Sequence, residues 1–162
     1  MKFVIDGMLG KLARWLRMMG HDVKYSNSTD DSTLLTIAKE EHRILLTRDF
    51  ALYQRAVARE IEAFYVEGQT EQERLAELAA TFGISLEIDM ATSRCPKCNT
   101  QVKPVPIEKV ANRVEKSTLE HNINFWECPK CGQVYWQGAH WTKIRETLEI
   151  SWNLQKLKKR NV

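Results

Sequence analysis

Along residues 1–90, short apolar runs alternate with stretches of helical period. Residues 2–6 (Lys-Phe-Val-Ile-Asp) read as a buried parallel strand that ends in a carboxylate. The next stretch places Leu9, Leu12, Ala13, Leu16 and Met19 on one helical face. Lys11, Arg14 and Trp15 fall on the opposite face, Arg17 sits at the border, and Gly20 is placed to end the helix. Asp22–Tyr25 is a second strand, followed by a polar turn containing Asp30 and Asp31 and a helix carrying Leu34, Leu35, Ile37 and Ala38. Arg43–Thr47 is a third strand, ending at Arg48-Asp49, and a helix over about 50–59 carries Leu52 and Ala56. Ile61–Val66 is a fourth strand ending at Glu67-Gly68, and a helix over about 71–82 carries Leu75, Leu78, Ala79 and Phe82. Ile84–Ile88 reads as a fifth, short strand.

Strand alternating with helix at this pitch predicts right-handed βαβ units and a parallel sheet covered on both faces, a three-layer α/β/α domain. In such a sheet the carboxyl ends of the strands share one edge, where ligands bind. Asp6, Asp49 and Glu67 each follow a predicted strand, and Asp30 and Asp31 open the helix after the second. An acid at such a position also serves as a helix cap, so each has a structural role available to it. Their recurrence at one edge is what points to chemistry.

Beyond residue 90 the pattern changes. Cys95-Pro-Lys-Cys98 and Cys128-Pro-Lys-Cys131 are the only cysteines. Two Cys-x-x-Cys turns supply four thiolates for one tetrahedral, closed and therefore structural Zn²⁺ site. Asn99 and Gly132, which follow the two pairs, tolerate the left-handed conformation. Short strands around Gln101–Val105, Asn124–Glu127 and Gln133–Trp136 complete a small β-rich zinc ribbon, with His121 and His140 as supporting residues. A helix over about 141–150 carries Trp141, Ile144 and Leu148, and a basic, mobile tail follows. The predicted division is 1–90, 91–150 and a tail over 151–162.

Charge sharpens that division. Residues 1–90 carry 11 Lys and Arg against 15 Asp and Glu, a net −4; residues 91–162 carry 13 against 6, a net +7. The basic half, with Lys97, Lys103, Lys109, Arg113, Lys116 and Lys130 interleaved with Phe125, Trp126, Tyr135 and Trp136, suits a polyanion. The 162-residue chain has no apolar run of membrane-spanning length and no signal-peptide pattern, so a cytoplasmic protein is expected, with no membrane partner.

The run Asp6-Gly-Met-Leu-Gly-Lys-Leu-Ala-Arg-Trp-Leu-Arg, then Asp31-x-x-Leu-Leu, Ile44-Leu-Leu-Thr-Arg-Asp49 and the two Cys-Pro-Lys-Cys motifs resemble the mut-seven C-terminal RNase domain family over about residues 2–148. That resemblance implies a PIN-like nuclease fold fused to a zinc ribbon, and a metal-dependent ribonuclease. Asp6, Asp31 and Asp49 match the family's acids and would bind catalytic Mg²⁺ or Mn²⁺, with Asp30 an alternative to Asp31 and Glu67 placed for a fourth acid. Lys11, Arg14, Arg17 and Arg48 are candidates to position the RNA phosphate. Cleavage would leave 5′-phosphate and 3′-hydroxyl ends, and the ribbon would aid RNA, protein-partner or ribosome binding. The alternative is a non-catalytic RNA-binding or ribosome-associated adaptor that retains the fold.

Overall fold

The structure, a computed structural model, describes residues 1–160. Four strands, β1 (Lys2–Ile5), β2 (Asp22–Tyr25), β3 (Ile44–Thr47) and β4 (Ala63–Tyr65), form a parallel sheet in the order β2-β1-β3-β4. Side chains alternate across the sheet and so build two cores. Phe3, Ile5, Val23, Ile44 and Leu46 meet Leu12, Leu16, Leu75 and Leu78 of α1 (Gly10–Met18) and α4 (Glu71–Phe82). On the other face, Val4 and Leu45 meet Leu34, Leu35 and Ala38 of α2 (Asp31–Glu40) and Leu52 and Ala56 of α3 (Phe50–Val57). Each fully buried Leu, Ile or Phe contributes about 1.5–3 kcal/mol of burial free energy. The three-layer α/β/α expectation is met.

Two expected segments differ. Ile84–Ile88 is not a strand. Ile84 and Leu86 are buried in the α1/α4 core while Ser85 and Glu87 are exposed, so the alternation is real. It marks an extended strip lying on the core without a hydrogen-bonding strand beside it. The basic tail is also helical: α7 runs from His140 to Arg160, ten residues past the expected end, and packs on α4. Its apolar stripe fades into Ser151, which is fully buried and donates its hydroxyl to the Thr147 carbonyl (2.7 Å). Asn161 and Val162, also assigned to the tail, lie outside the described residues.

Between these parts, β5 (Lys103–Val105), β6 (Phe125–Glu127) and β7 (Val134–Tyr135) form an antiparallel sheet. Two short helices, α5 (Ile107–Val110) and α6 (Lys116–His121), join β5 to β6, and Val110, Phe125 and Val134 make the small core. The four cysteines cluster at one end, an arrangement compatible with a zinc ribbon. The two turns are alike: Asn99 N–H donates to the Cys95 carbonyl and Gly132 N–H to that of Cys128, each at 2.9 Å. Asn99 (φ +69°) and Gly132 (φ +74°) are both left-handed.

This cysteine module closes the free edge of β2. Val23 N–H donates to Asn99 Oδ1 (2.9 Å), and Asn99 Nδ2 donates to Asp22 Oδ1 (2.7 Å). Arg17 is buried and donates to the carbonyls of Val23 (2.8 Å) and Pro96 (2.8 Å). Burial lowers the Arg17 pKa, while Cys95, Cys98 and Asp22 pull it back. Arg17 was a phosphate candidate; its guanidinium is instead a strut between α1, β2 and the cysteine turn. Asn99→Gly should keep the left-handed turn, lose both bonds to β2, and lower unfolding free energy by about 1–2 kcal/mol in urea titration. Asn99→Ala should cost roughly a further 1 kcal/mol because of its Cβ.

Candidate active site

The strand order reverses direction between β1 and β3, since the chain passes from β1 outward to β2 and then crosses back over β1 to β3. The helices that follow these two strands, α1 and α3, lie on opposite faces, the topology in which open α/β sheets bind ligands in a crevice at the strands' carboxyl ends. Asp6 and Asp49 stand at that crevice.

Asp6 precedes a 3-10 turn, Gly7–Leu9, yet makes no side-chain capping bond. Its Oδ2 accepts instead from the Thr47 hydroxyl (2.9 Å), and Thr47 Oγ1 in turn accepts from the Asp49 amide (2.9 Å). Thr47 is fully buried, so one hydroxyl fixes the first acid against the loop that carries the third. The turn itself is packed from β2: the Tyr25 hydroxyl donates to the Gly7 carbonyl (3.0 Å) and lies 2.5 Å from where a Cβ on Gly10 would stand. A side chain there would displace the Tyr25 ring.

The other acids have helix duties as well. Asp49 caps α3 through Leu52 N–H (3.1 Å), and Asp30 caps α2 through Thr33 N–H (3.0 Å) and the Thr33 hydroxyl (2.7 Å). The Thr33 bonds hold the Asp30 carboxyl below its ordinary range. Asp31, in the first turn of α2, pairs with Arg55 of α3 (2.9 Å). The adjacent acids are thus separated by direction: Asp30 serves its own helix and Asp31 faces α3. Both partners of the Asp31–Arg55 pair are over two-fifths exposed, so the pair contributes only ~0–1 kcal/mol.

Glu67 is exposed, beyond β4 on the same edge. Its loop is held from behind by Glu77, a buried carboxylate that accepts from the amides of Glu67 (3.2 Å) and Gly68 (3.1 Å). Burial raises the Glu77 pKa, against the pull of those amides and of Lys158. Arg48 donates to the Gly68 carbonyl (3.2 Å) and to Gln69 Oε1 (3.3 Å), so this phosphate candidate also braces the loop. A Cβ on Gly68 would lie 2.7 Å from the Arg74 amide. The end of α7 arrives here, with Leu154, Leu157 and Lys158 lining a cleft together with Glu67, Gly68 and Gln69. Lys11 and Arg14, on the first half of α1, are exposed.

Among the described residues, the four cysteines are the only group of three or more His, Cys, Asp and Glu whose ligand atoms all lie within 4.8 Å. The acids do not gather to that distance, because Asp31 is drawn to Arg55 and Asp49 to its helix. Their chemistry still suits Mg²⁺ or Mn²⁺, which take hard oxygen ligands; Mg²⁺ commonly binds through one or two carboxylates plus water and phosphate. The thiol cluster fits Zn²⁺ closely. A tetrahedral site with Zn–S of about 2.3 Å sets sulfurs about 3.8 Å apart, and Cys95–Cys131 and Cys98–Cys128 stand at 3.7 and 3.3 Å. Burial pushes the Cys128 thiol up to about 12, whereas Cys98, against burial, is brought to about 6 by Thr100 and the neighbouring thiols. Tyr135 shares a 3.0 Å hydrogen bond with Cys95 Sγ, and neither His121 nor His140 joins the cluster.

Of the aromatics expected to face a polyanion, Phe125 is core, Trp126 and Tyr135 pack on the cysteines, and Trp136 packs beside Phe125. Lys97 and Arg113 are engaged by Gln133 and Glu127, while Lys103, Lys109, Lys116 and Lys130 remain exposed. Thr47, Arg55 and Glu77 went unnoticed in the sequence. Thr47 had a signal, as the polar residue that closes an apolar strand two positions before Asp49; Arg55 and Glu77 acquire their partners only through folding.

The family model described as Mut7-C RNAse domain matches residues 1–148. No curated protein and no solved structure gives a match.

Two outcomes are expected. Because the folded-state pKa of Glu77 lies above its unfolded value, its contribution to stability falls as pH rises from about 4.3 through the folded value. Glu77→Gln should therefore gain stability relative to the parent over that window and level off above it, read by urea unfolding at a series of pH values; the reverse slope would refute the assignment. The cysteine cluster should release a single zinc per chain to a chromogenic chelator after thiol modification, and Cys128→Ser should lower both zinc content and melting temperature.

Proposed function

The chain belongs to the Mut7-C RNAse domain family, and from that premise we propose that it hydrolyses RNA phosphodiester bonds at the carboxyl edge of its parallel sheet. The observation that carries the reading is the pair Asp6 and Asp49 at the strand-order reversal, tied through Thr47. Asp6 and Asp49 would hold a Mg²⁺ or Mn²⁺ ion, with Asp31, or failing it Asp30, completing the donor set and Glu67 available as a fourth acid. When bound, such an ion lowers the pKa of an attacking water and offsets charge on the phosphate oxygens.

The chain's own residues do the positioning. Thr47 keeps the Asp6 carboxylate oriented, and its buried hydroxyl costs little to hold ready. Lys11 and Arg14 offer exposed cations at the start of α1 for the RNA phosphates. Arg55 offers a third cation: an exposed pair worth so little exchanges readily, Arg55 turning to phosphate and Asp31 to metal. Glu77 and Arg48 hold the Glu67 loop at the edge. The cysteine module, with structural zinc, stiffens the β2 side and presents exposed lysines to RNA or to a protein partner such as the ribosome. Four clustered free thiols suit the reducing cytoplasm.

A specific observation also fits the adaptor reading: Asp30, Asp31 and Asp49 each have a structural partner, in Thr33, Arg55 and the Leu52 amide. One experiment separates the two. Purified protein is incubated with single-stranded and structured RNA, with Mn²⁺ or with EDTA, beside Asp6→Asn. Metal-dependent cleavage that falls at least a hundredfold in Asp6→Asn is expected, on the scale of a lost electrostatic anchor. Cleavage that survives EDTA, or is equal in the variant, would sink the proposal; RNA binding without turnover would establish the adaptor.

A further inference from the structure

Phe50, Tyr53 and Tyr65 form a cluster of rings that belongs to neither core. Their centroids lie 6.1 Å (Phe50–Tyr53), 5.6 Å (Phe50–Tyr65) and 6.1 Å (Tyr53–Tyr65) apart, and none is a member of the two apolar clusters of the sheet. Phe50 is 55% exposed at the first position of α3. An exposed large ring there needs another use.

Its neighbours say which use. Phe50 directly follows Asp49, and Tyr65 is the register partner of Thr47, whose hydroxyl holds Asp6. The rings therefore flank the two acids at the same edge of the sheet. Arg48 and Arg55 bracket Phe50 and Tyr53 along the chain, Arg48 reaching the Gly68–Gln69 loop that follows Tyr65 and Arg55 reaching Asp31, so two cations belong to the segments that carry the rings. Cations for phosphates and an aromatic face for a base are what a single-stranded nucleic acid requires.

We propose that Phe50, Tyr53 and Tyr65 form a stacking platform for one unpaired nucleobase next to the phosphate addressed by Asp6 and Asp49. The proposal rests on the RNA-hydrolysing reading above and deepens it. A second copy of the chain fits less well. Three fully exposed aromatic side chains would present only about 450–750 Å², these are partly covered, and a standard interface buries about 800 Å² per partner.

The test uses the full chain carrying Asp6→Asn, to prevent turnover, and a short single-stranded RNA with 2-aminopurine at successive positions. Binding should quench the fluorophore at one position; Phe50→Gln should abolish that quench and weaken affinity about tenfold by anisotropy, while Phe50→Trp restores both. An RNA lacking the base at that position should bind Phe50→Gln and its parent equally. Four results would overturn the platform: no RNA binding, unchanged affinity in Phe50→Gln, an equal loss on the abasic strand, or a dimer broken by Phe50→Gln with RNA affinity intact. The failures are separable. Quench and binding in a protein that never cleaves with Mn²⁺ would remove the hydrolase reading and leave the platform; metal-dependent cleavage with Phe50→Gln binding as its parent would do the reverse.

Discussion

The burial of β1 on both faces and both edges is the constraint from which the rest follows. Its Phe3, Val4 and Ile5 are almost wholly excluded from water, so helices must cover both sides and strands must flank both edges. A chain that begins with this strand satisfies the requirement by going out to β2 under one helix and returning across to β3 under another. The reversal falls beside the end of β1 itself. Asp6 is thus delivered to the crevice by the packing demand on the three residues before it. Asp6 makes no side-chain capping bond to the Gly7–Leu9 turn, and its carboxylate accepts from Thr47 of β3 instead.

The same constraint leaves β2 as an edge strand, and an open edge invites pairing with another chain. Asn99 and Arg17 remove that hazard by bonding to both the amide and the carbonyl of Val23. The residue that makes the cysteine turn possible, through its left-handed backbone, is therefore also the residue that docks the turn on the sheet. Charge follows the same seam. Asp22 is shared between Asn99 and the buried Arg43; against burial, those hydrogen bonds hold its carboxyl below the ordinary range.

What was legible in the sequence is what repeats with a period or carries a spacing. The four strands announced themselves as short apolar runs, their helices by a helical period of apolar residues, and the cysteines by their Cys-x-x-Cys turns. Ile84–Leu86 misled because burial of alternate residues needs only a wet side and a dry side, not a partner strand. The end of α7 was missed because its inner face passes from Leu148 to Ser151, a residue whose hydroxyl is satisfied by its own helix and so can be buried at little cost. Arg17 illustrates a harder limit. Its acceptors come from residues 23, 96 and 97, and main-chain carbonyls leave no mark in a sequence. The acids were visible as strand-end residues; that Asp30 serves its own helix while Asp31 reaches Arg55 depends on where α3 lies.

The distance between the two modules bears on what zinc does. The cysteine turn touches the sheet at Val23, which is level with Phe3 of β1. Asp6 is three residues further along, about 10 Å at the rise of a strand. A zinc ion held by the four thiolates would have no open ligand position and so no direct part in chemistry at the acids. Its influence would pass through mechanical links, and the structure offers two. Arg17 ties the turn to the last residues of α1, and β2 carries the tie to Tyr25, whose hydroxyl clamps the Gly7–Gly10 turn after Asp6. The cysteine turn is in this way mechanically linked to the loop that carries Asp6, and a metal bound by the four thiols would act on that loop through shape alone.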